Sequence, residues 1–341
     1  MTKNSISTAR FPFTPYPDGW FAIAFSTDLE RGSVLSKHYF GEDMVLYRDD
    51  EGKAHCVEPY CPHLGAHLGV GGRVVDNRLR CPFHGWCFDG EGQCVEVPGG
   101  AKIPPRAQVK KRPLRELNGM LFVHYHKEGL EPTWEPQSVA TENWTDDSKT
   151  ILWNIKSHPQ EIFENSVDSA HLAALHDVPK SWVVREPIAD QERFNVQIGM
   201  VAPGSIIGMP GMDNDVVLDV TMYGLGFMLV DTYVTNVGIK ARERIYVAPI
   251  DGERVEIRAV VNVEKFGDAE NTEMVAGLFY QAFLTDFVKD FPIWESKRYR
   301  EKPALSSMDG PFVMYRKWCR QFYSDGNTAP VPTEERIEVP N

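Results

Sequence analysis

Two short segments constrain this chain more than anything else in it. Cys61-Pro62-His63 is followed, after seventeen residues, by Cys81-Pro82-Phe83-His84. Each supplies one thiol and one imidazole, the soft ligand types that suit transition metals. A fold that uses them must bring two separate loops to one point. Gly65, Gly69, Gly71, Gly72 and Gly85 flank the pair, and glycine lets the backbone turn tightly there.

Six cysteines occur in the 341 residues, and five of them lie between positions 56 and 94. Four of the ten histidines, His55, His63, His67 and His84, share that stretch. The first twenty residues lack an apolar signal core, so the expectation is a cytoplasmic protein whose clustered cysteines bind metal rather than form disulfides. The formal charge of −12 argues against non-specific nucleic-acid binding, which needs cationic side chains. The longest apolar run, Tyr223–Val230, is too short to span a bilayer.

Two cysteines and two histidines match the ligand set of a Rieske 2Fe–2S centre, where Cys holds one iron and His the other. Neutral imidazoles remove negative charge, so an added electron is repelled less. A tetrahedral zinc site takes the same ligand types, but one Cys and one His per loop fits zinc fingers poorly. Burial of all four as plain core residues is the remaining reading, and their matched loops argue against it. Cys56, Cys87 and Cys94 read as small buried residues, and His55 and His67 as structural.

The chain divides by pattern. Residues 18–126 carry short β-type runs (Trp20–Phe25, Asp43–Arg48, Ala54–Val57, Arg73–Val75, Arg78–Cys81, Met120–His124) broken by turn signals such as Asp76-Asn77; they predict an all-β domain. Residues 127–150 are polar and read as a linker, and 326–341 as a tail. Residues 151–325 begin with a helical stretch, Gln160–His176. Strand-like runs follow at Phe194–Val201, Val216–Tyr223, Gly226–Thr235, Ile239–Val247 and Arg254–Val263, then helical spacing over Glu270–Asp290. The expected class is α+β, with one broad antiparallel sheet, one face on a core, and helices before and after it.

Within Gln160–His176 lie Asn165, Asp168, His171 and His176. Two histidines beside a carboxylate suggest the facial triad of non-haem iron, which leaves positions open for oxygen. Asp168 and His171 share a helix face. His171 and His176 do not on a regular helix of 3.6 residues per turn, so the helix must end or distort between them. Asp177 and Pro179 favour an ending near His176. Asp168 is then a ligand or a partner of His171.

Together the two constellations resemble the Rieske non-haem iron oxygenases, oxygenase component. CPHLGAHLGVGG, CPFHGWCFDGEG and Asp290-Phe291-Pro292-Ile293-Trp294 resemble the subgroup of 3-ketosteroid 9α-hydroxylases and cholesterol 7-desaturases. The resemblance implies an N-terminal Rieske domain and a helix-grip catalytic domain. It implies that Cys61 and Cys81 bind the inner iron of one 2Fe–2S cluster, and His63 and His84 the outer one. It implies that His171, His176 and Asp290 bind one mononuclear Fe2+, with Asp286, one turn earlier, the rival to Asp290. Asp168 would link His84 of a neighbouring subunit to His171, which implies a homotrimer, and Asn165 would lie near the iron. Electrons would come from NAD(P)H through a reductase, directly or by way of a ferredoxin.

Met200, Ile206, Ile207, Met209, Met212, Met222, Phe227 and Met228 are pocket candidates, and Gly199–Met212 reads as an entrance loop for a bulky apolar ligand. A steroid-like or polycyclic substrate is therefore expected, most simply hydroxylated. Desaturation or demethylation of a smaller aromatic is the alternative, and a Rieske electron carrier without catalysis is the alternative from another class. Lys110, Lys111, Arg112 and Arg115 read as a solvated face, with docking of an acidic redox partner as the competing reading.

Overall fold

The computed structural model describes residues 10–204, 211, 213–306 and 309–324. The first part is all β: β1 (Gly19–Phe25), β2 (Val34–Tyr39), β3 (Glu42–Arg48), β4 (Ala54–Val57), β5 (Arg73–Val75), β6 (Arg78–Arg80), β7 (Cys87–Phe88), β8 (Cys94–Glu96), β9 (Leu114–Leu117) and β10 (Met120–Tyr125). They form three sheets, ordered β1-β10-β9, β2-β3-β4 and β5-β6-β7-β8. Three of the hairpins turn on two residues of positive φ: Phe40-Gly41, Asp76-Asn77 and Asn118-Gly119. Such turns match the right-handed twist of the strands they join. The expected strands are present to within a residue or two. β2, β7, β8 and β9 were not among the expected runs; β2 is largely half-exposed with mixed residues, and the others are short.

The second part holds β11 (Thr150–Ile155), α1 (Pro159–Glu164), α2 (Ala170–Leu175), β12 (Lys180–Asp190), β13 (Arg193–Pro203), β14 (Asp213–Tyr223), β15 (Phe227–Val234), β16 (Ile239–Pro249), β17 (Val255–Val263), α3 (Ala269–Asp286), α4 (Phe291–Ser296) and α5 (Phe312–Cys319). Its strands make a seven-stranded antiparallel sheet in the order β11-β17-β16-β15-β14-β13-β12. β12 is an edge strand whose Trp182, Val183 and Val184 are exposed, so it lacks the alternation that marks a half-buried strand.

One face of the sheet meets the helices in a large apolar core that includes Ile198, Val220, Ile245, Phe279 and Trp294. The other face, expected to meet solvent, is largely covered. Trp20, Ala22, Met120 and Phe122 of the first domain pack on Phe227, Tyr246 and Val260. Arg258, which alternates with the apolar Ile257 and Ala259 of β17, is also buried and donates to the Ile23 carbonyl at 2.8 Å. A strand covered on both faces loses the polar alternation of a one-sided sheet. Residues 127–150 run across both parts: Trp20 Nε1 donates to the Trp134 carbonyl at 2.7 Å, and the Arg242 guanidinium lies 4.1 Å from the Trp144 ring centroid.

Candidate metal centres and substrate cavity

The two Cys/His loops have the same backbone plan. The Cys61 N–H donates to the Ala66 carbonyl and the Gly65 N–H returns to Cys61, both at 2.9 Å. In the second loop Cys81 donates to Trp86 at 2.8 Å and Gly85 returns to Cys81 at 3.1 Å. Gly65 and Gly85 close these turns at φ 76° and 73°, a region that side chains with a Cβ rarely adopt. Cys61 and Cys81 are buried, while His63 and His84 lie further out. The two imidazole centroids are 4.5 Å apart, and His63 stacks on Trp86 at 4.4 Å and 9°. Burial raises the Cys61 thiol to about 11, a cost that a bound metal removes by holding the thiolate. His63 Nδ1 is buried without a hydrogen-bond partner. Two thiols inside, two imidazoles outside and an unpartnered ring nitrogen fit a 2Fe–2S cluster. His55 Nε2 donates to Asp49 Oδ2 at 2.8 Å, and His67 Nδ1 accepts from the Gly69 N–H.

The expected helix over 160–176 is broken. α1 runs into a 3₁₀ turn, Asn165–Val167, and the chain leaves helical geometry at Asp168 (φ −103°, ψ 89°). Gly310 packs flush against that break, where a Cβ would meet the Val167 carbonyl at 1.6 Å. α2 then restarts, with Asp168 Oδ1 accepting from the N–H groups of Ala170 and His171 at 3.1 and 3.2 Å. It ends at His176 (φ −107°, ψ 9°), and Asp177 follows at φ 57°, a left-handed conformation that Asp tolerates better than most residues. This ending brings the His171 and His176 rings to 5.2 Å, nearly perpendicular.

Asp290 completes the group. One ligand atom from each of His171, His176 and Asp290 lies within 4.8 Å of the other two. His171 Nδ1 donates to the main-chain carbonyl of Asp168 at 2.5 Å, and His176 Nδ1 donates to Asp286 Oδ2 at 3.0 Å. Both bonds leave Nε2 for a metal, the arrangement that orients histidine ligands. His176 Nε2 is 3.3 Å from Asp290 Oδ2, and Asn165 Nδ2 donates to Asp290 Oδ1 at 2.8 Å. Burial opposes a proton on His176, but hydrogen bonds to Asp286 and Asp290 outweigh it and raise the ring to about 9. The carboxylates around His176 thus favour positive charge there, which fits a divalent ion, while burial lowers the His171 imidazole. Asp168 meets His171 through its backbone rather than its carboxylate, whose Oδ2 is 3.8 Å away.

A cavity of about 1080 Å³, open mouth included, adjoins this group. Its walls are apolar side chains of β13 to β16 (Ile198, Met200, Leu218, Val220, Met228, Val230, Ile245) and of the α3 region (Phe279, Phe283, Phe287). Of the expected pocket residues, Met200 and Met228 line it. Met222 is in the core and Phe227 is on the opposite face of the sheet. Ile206, Ile207, Met209 and Met212 lie outside the described residues. Among the lining residues that were not foreseen are the polar Glu243 and Thr232. The signal was present, because Glu243 interrupts the apolar series Ile239, Ala241, Ile245, Val247 in β16. Of the basic residues at 110–115, Lys111, Arg112 and Arg115 pair with Glu91, Glu42 and Glu135.

Residues 19–111 match the Rieske [2Fe-2S] domain, and residues 123–323 match the 3-ketosteroid 9α-hydroxylase C-terminal domain. The chain belongs to the Rieske non-haem iron oxygenases. The oxygenase is 33% identical over 342 residues to cholesterol 7-desaturase of Xenopus laevis, covering 92% of this chain and 73% of that protein. It is 29% identical over 338 residues to the oxygenase component of 3-ketosteroid-9-alpha-monooxygenase of Rhodococcus rhodochrous, covering 95% and 88%. Its fold is shared with dicamba monooxygenase bound to dicamba (TM-score 0.69, 20% identity, 90% of this chain and 97% of that one). NdmA of Pseudomonas putida with caffeine is similar in fold (TM-score 0.66, 20% identity, 92% and 94%). As the oxygenase component of a Rieske system it is an oxidoreductase with a 2Fe–2S cluster and a mononuclear iron, and it works with an electron-donating partner.

Proposed function

We propose that this oxygenase hydroxylates an apolar, polycyclic, steroid-like substrate, with Cys61, His63, Cys81 and His84 holding the cluster and His171, His176 and Asp290 the mononuclear iron. The observation that carries this reading is the position of those three groups in the wall of a mostly apolar cavity. An apolar wall gains affinity from buried ligand area and offers little to a charged substrate. Bound iron supplies the site at which dioxygen and substrate meet. The protein groups do the rest. Asp286 and the Asp168 carbonyl aim the two imidazoles, Asn165 fixes the Asp290 carboxylate, and the phenylalanines of the α3 region keep water out.

Asp168 has a second role in this reading. Its main-chain carbonyl holds the His171 ring, and its carboxylate, a quarter exposed, reaches His84 of the partner subunit in a homotrimer, so that the one residue joins the two histidines. NAD(P)H supplies electrons through a reductase, directly or through a ferredoxin, and the protein resides in the cytoplasm. No helix among the described residues is long and apolar enough to cross a membrane.

Desaturation is the second reading, favoured by relatives named as cholesterol 7-desaturases. The test is turnover of a steroid panel with NADH and a surrogate reductase. A product with one added oxygen supports hydroxylation, and one lacking two hydrogens supports desaturation. NADH use that no steroid stimulates sinks both. Iron should approach three per chain, two of them in the cluster, and His171→Ala should lose the third while keeping the cluster's colour.

A further inference from the structure

The cavity wall has one polar interruption on its sheet side. Glu243 of β16 pairs in register with Val230 of β15 and Val261 of β17. Ala241 and Ile245 flank it on the same face. The residue is 8% exposed, and its carboxyl accepts a hydrogen bond from Thr232 Oγ1 at 3.0 Å. Among the described residues it makes no ion pair. Burial raises it to about 8, against the bond from Thr232, which lowers it; it is therefore mainly neutral at pH 7 and carries a proton to donate. An unpaired carboxyl in an apolar wall costs stability without adding packing, so a leucine would serve the core better.

Position along the strand separates this pair from the iron ligands. Met228 accepts from Ser166, the neighbour of Asn165. Thr232 lies four residues further along β15, about 13 Å at about 3.3 Å per residue. The cavity therefore has a metal-binding end and a distant hydrogen-bonding end with apolar walls between them.

We propose that Glu243 and Thr232 bind a neutral oxygen, a ketone or a hydroxyl, at the end of the substrate remote from His171, His176 and Asp290. The inference rests on the polycyclic-substrate reading and adds an orientation to it. With Thr232 engaged on one carboxyl oxygen, the other donates to the ligand oxygen and sets which carbon faces the iron. A ligand ending in a carboxylate or sulfate is rejected, because among the described residues Glu243 makes no ion pair and the nearby cation, Arg242, is held by Asp231.

The test uses the purified full chain carrying both the cluster and the mononuclear iron. The probes are a tetracyclic steroid skeleton with a single ketone, with a single hydroxyl, and with no oxygen. Equilibrium dialysis gives Kd for each, and cluster absorption reports folding. Wild type should bind each oxygenated probe about tenfold more tightly than the hydrocarbon, the usual worth of a neutral hydrogen bond. In Glu243→Leu that ratio should fall to about one with the hydrocarbon bound as before. Glu243→Gln, whose amide still donates, should keep most of it. Thr232→Val should reduce it and serves if the leucine variant fails to fold. An unchanged ratio in the folded variants overturns the inference alone. Failure of all three probes to bind wild type overturns the polycyclic reading and the inference with it.

Discussion

Asp286 holds His176 by Nδ1 at 3.0 Å, while Asp290, one helical turn later, faces Nε2 of the same ring at 3.3 Å. Two carboxylates, one at the end of α3 and one at the end of the 3₁₀ turn that follows it, thus bracket one imidazole. Only Asp290 also shares its position with His171. Asp286 is tied instead to Lys289 at 2.8 Å.

That bracket gives the first prediction. Asp290→Ala should lose the mononuclear iron, whereas Asp286→Asn should keep it with affinity lowered about 10- to 100-fold, the usual cost of losing a group that orients a ligand. Iron per chain after dialysis, with cluster absorption as the internal standard, separates the two. Iron loss in the Asp286 variant alone would reverse the roles.

Asp168 tests the proposed link between subunits. Asp168→Asn preserves the side-chain oxygen that caps α2, so folding and both metal contents should stay normal while turnover falls at least tenfold. Asp168→Ala should in addition lose about 1 kcal/mol of stability with the cap. Near-normal turnover of the Asn variant would remove Asp168 from the electron path.

Beneath the site, Arg316 grips Glu164 through two hydrogen bonds of 2.6 and 2.8 Å, both side chains buried. Removing one partner strands the other charge. Arg316→Met should destabilise the protein by about 3–5 kcal/mol, read by urea unfolding. A change below about 1 kcal/mol would show that Lys297, 3.7 Å from Glu164, suffices alone.

His158 predicts a pH dependence. Burial lowers its imidazole to about 3; its Nδ1 accepts from the Gln160 N–H and its Nε2 donates to the Thr14 carbonyl. The unfolded chain binds this proton near pH 6.5 and the folded one does not. This residue's contribution is therefore complete above about 6.5 and declines as pH falls towards 3. Between pH 6.5 and 5.5 the advantage of wild type over His158→Gln should shrink by about 1 kcal/mol. A difference independent of pH in thermal melts would contradict it.

The basic cluster at 110–115 shows how sequence and fold diverge. Four cations in six residues look like one positive face, yet three are paired with glutamates from 20 to 70 positions away. Nothing local in the sequence announces those partners. The helix ending at His176 was readable, because Asp177 and Pro179 are local stop signals. The break at Asp168 was not, because it depends on Gly310, far along the chain, packing against it.

By itself the sequence determined the class of chemistry and the paired Cys/His loops, because ligand types at short spacings are carried by local chain geometry. It also determined most strands, through the period of two that side chains keep on a pleated backbone. Only the tertiary structure decided which aspartate meets both histidines, which face of the sheet is covered twice, and that Glu243 stands in an apolar cavity. Those are relations between segments distant in the chain, and side-chain periodicity within one segment carries no record of what folds against it.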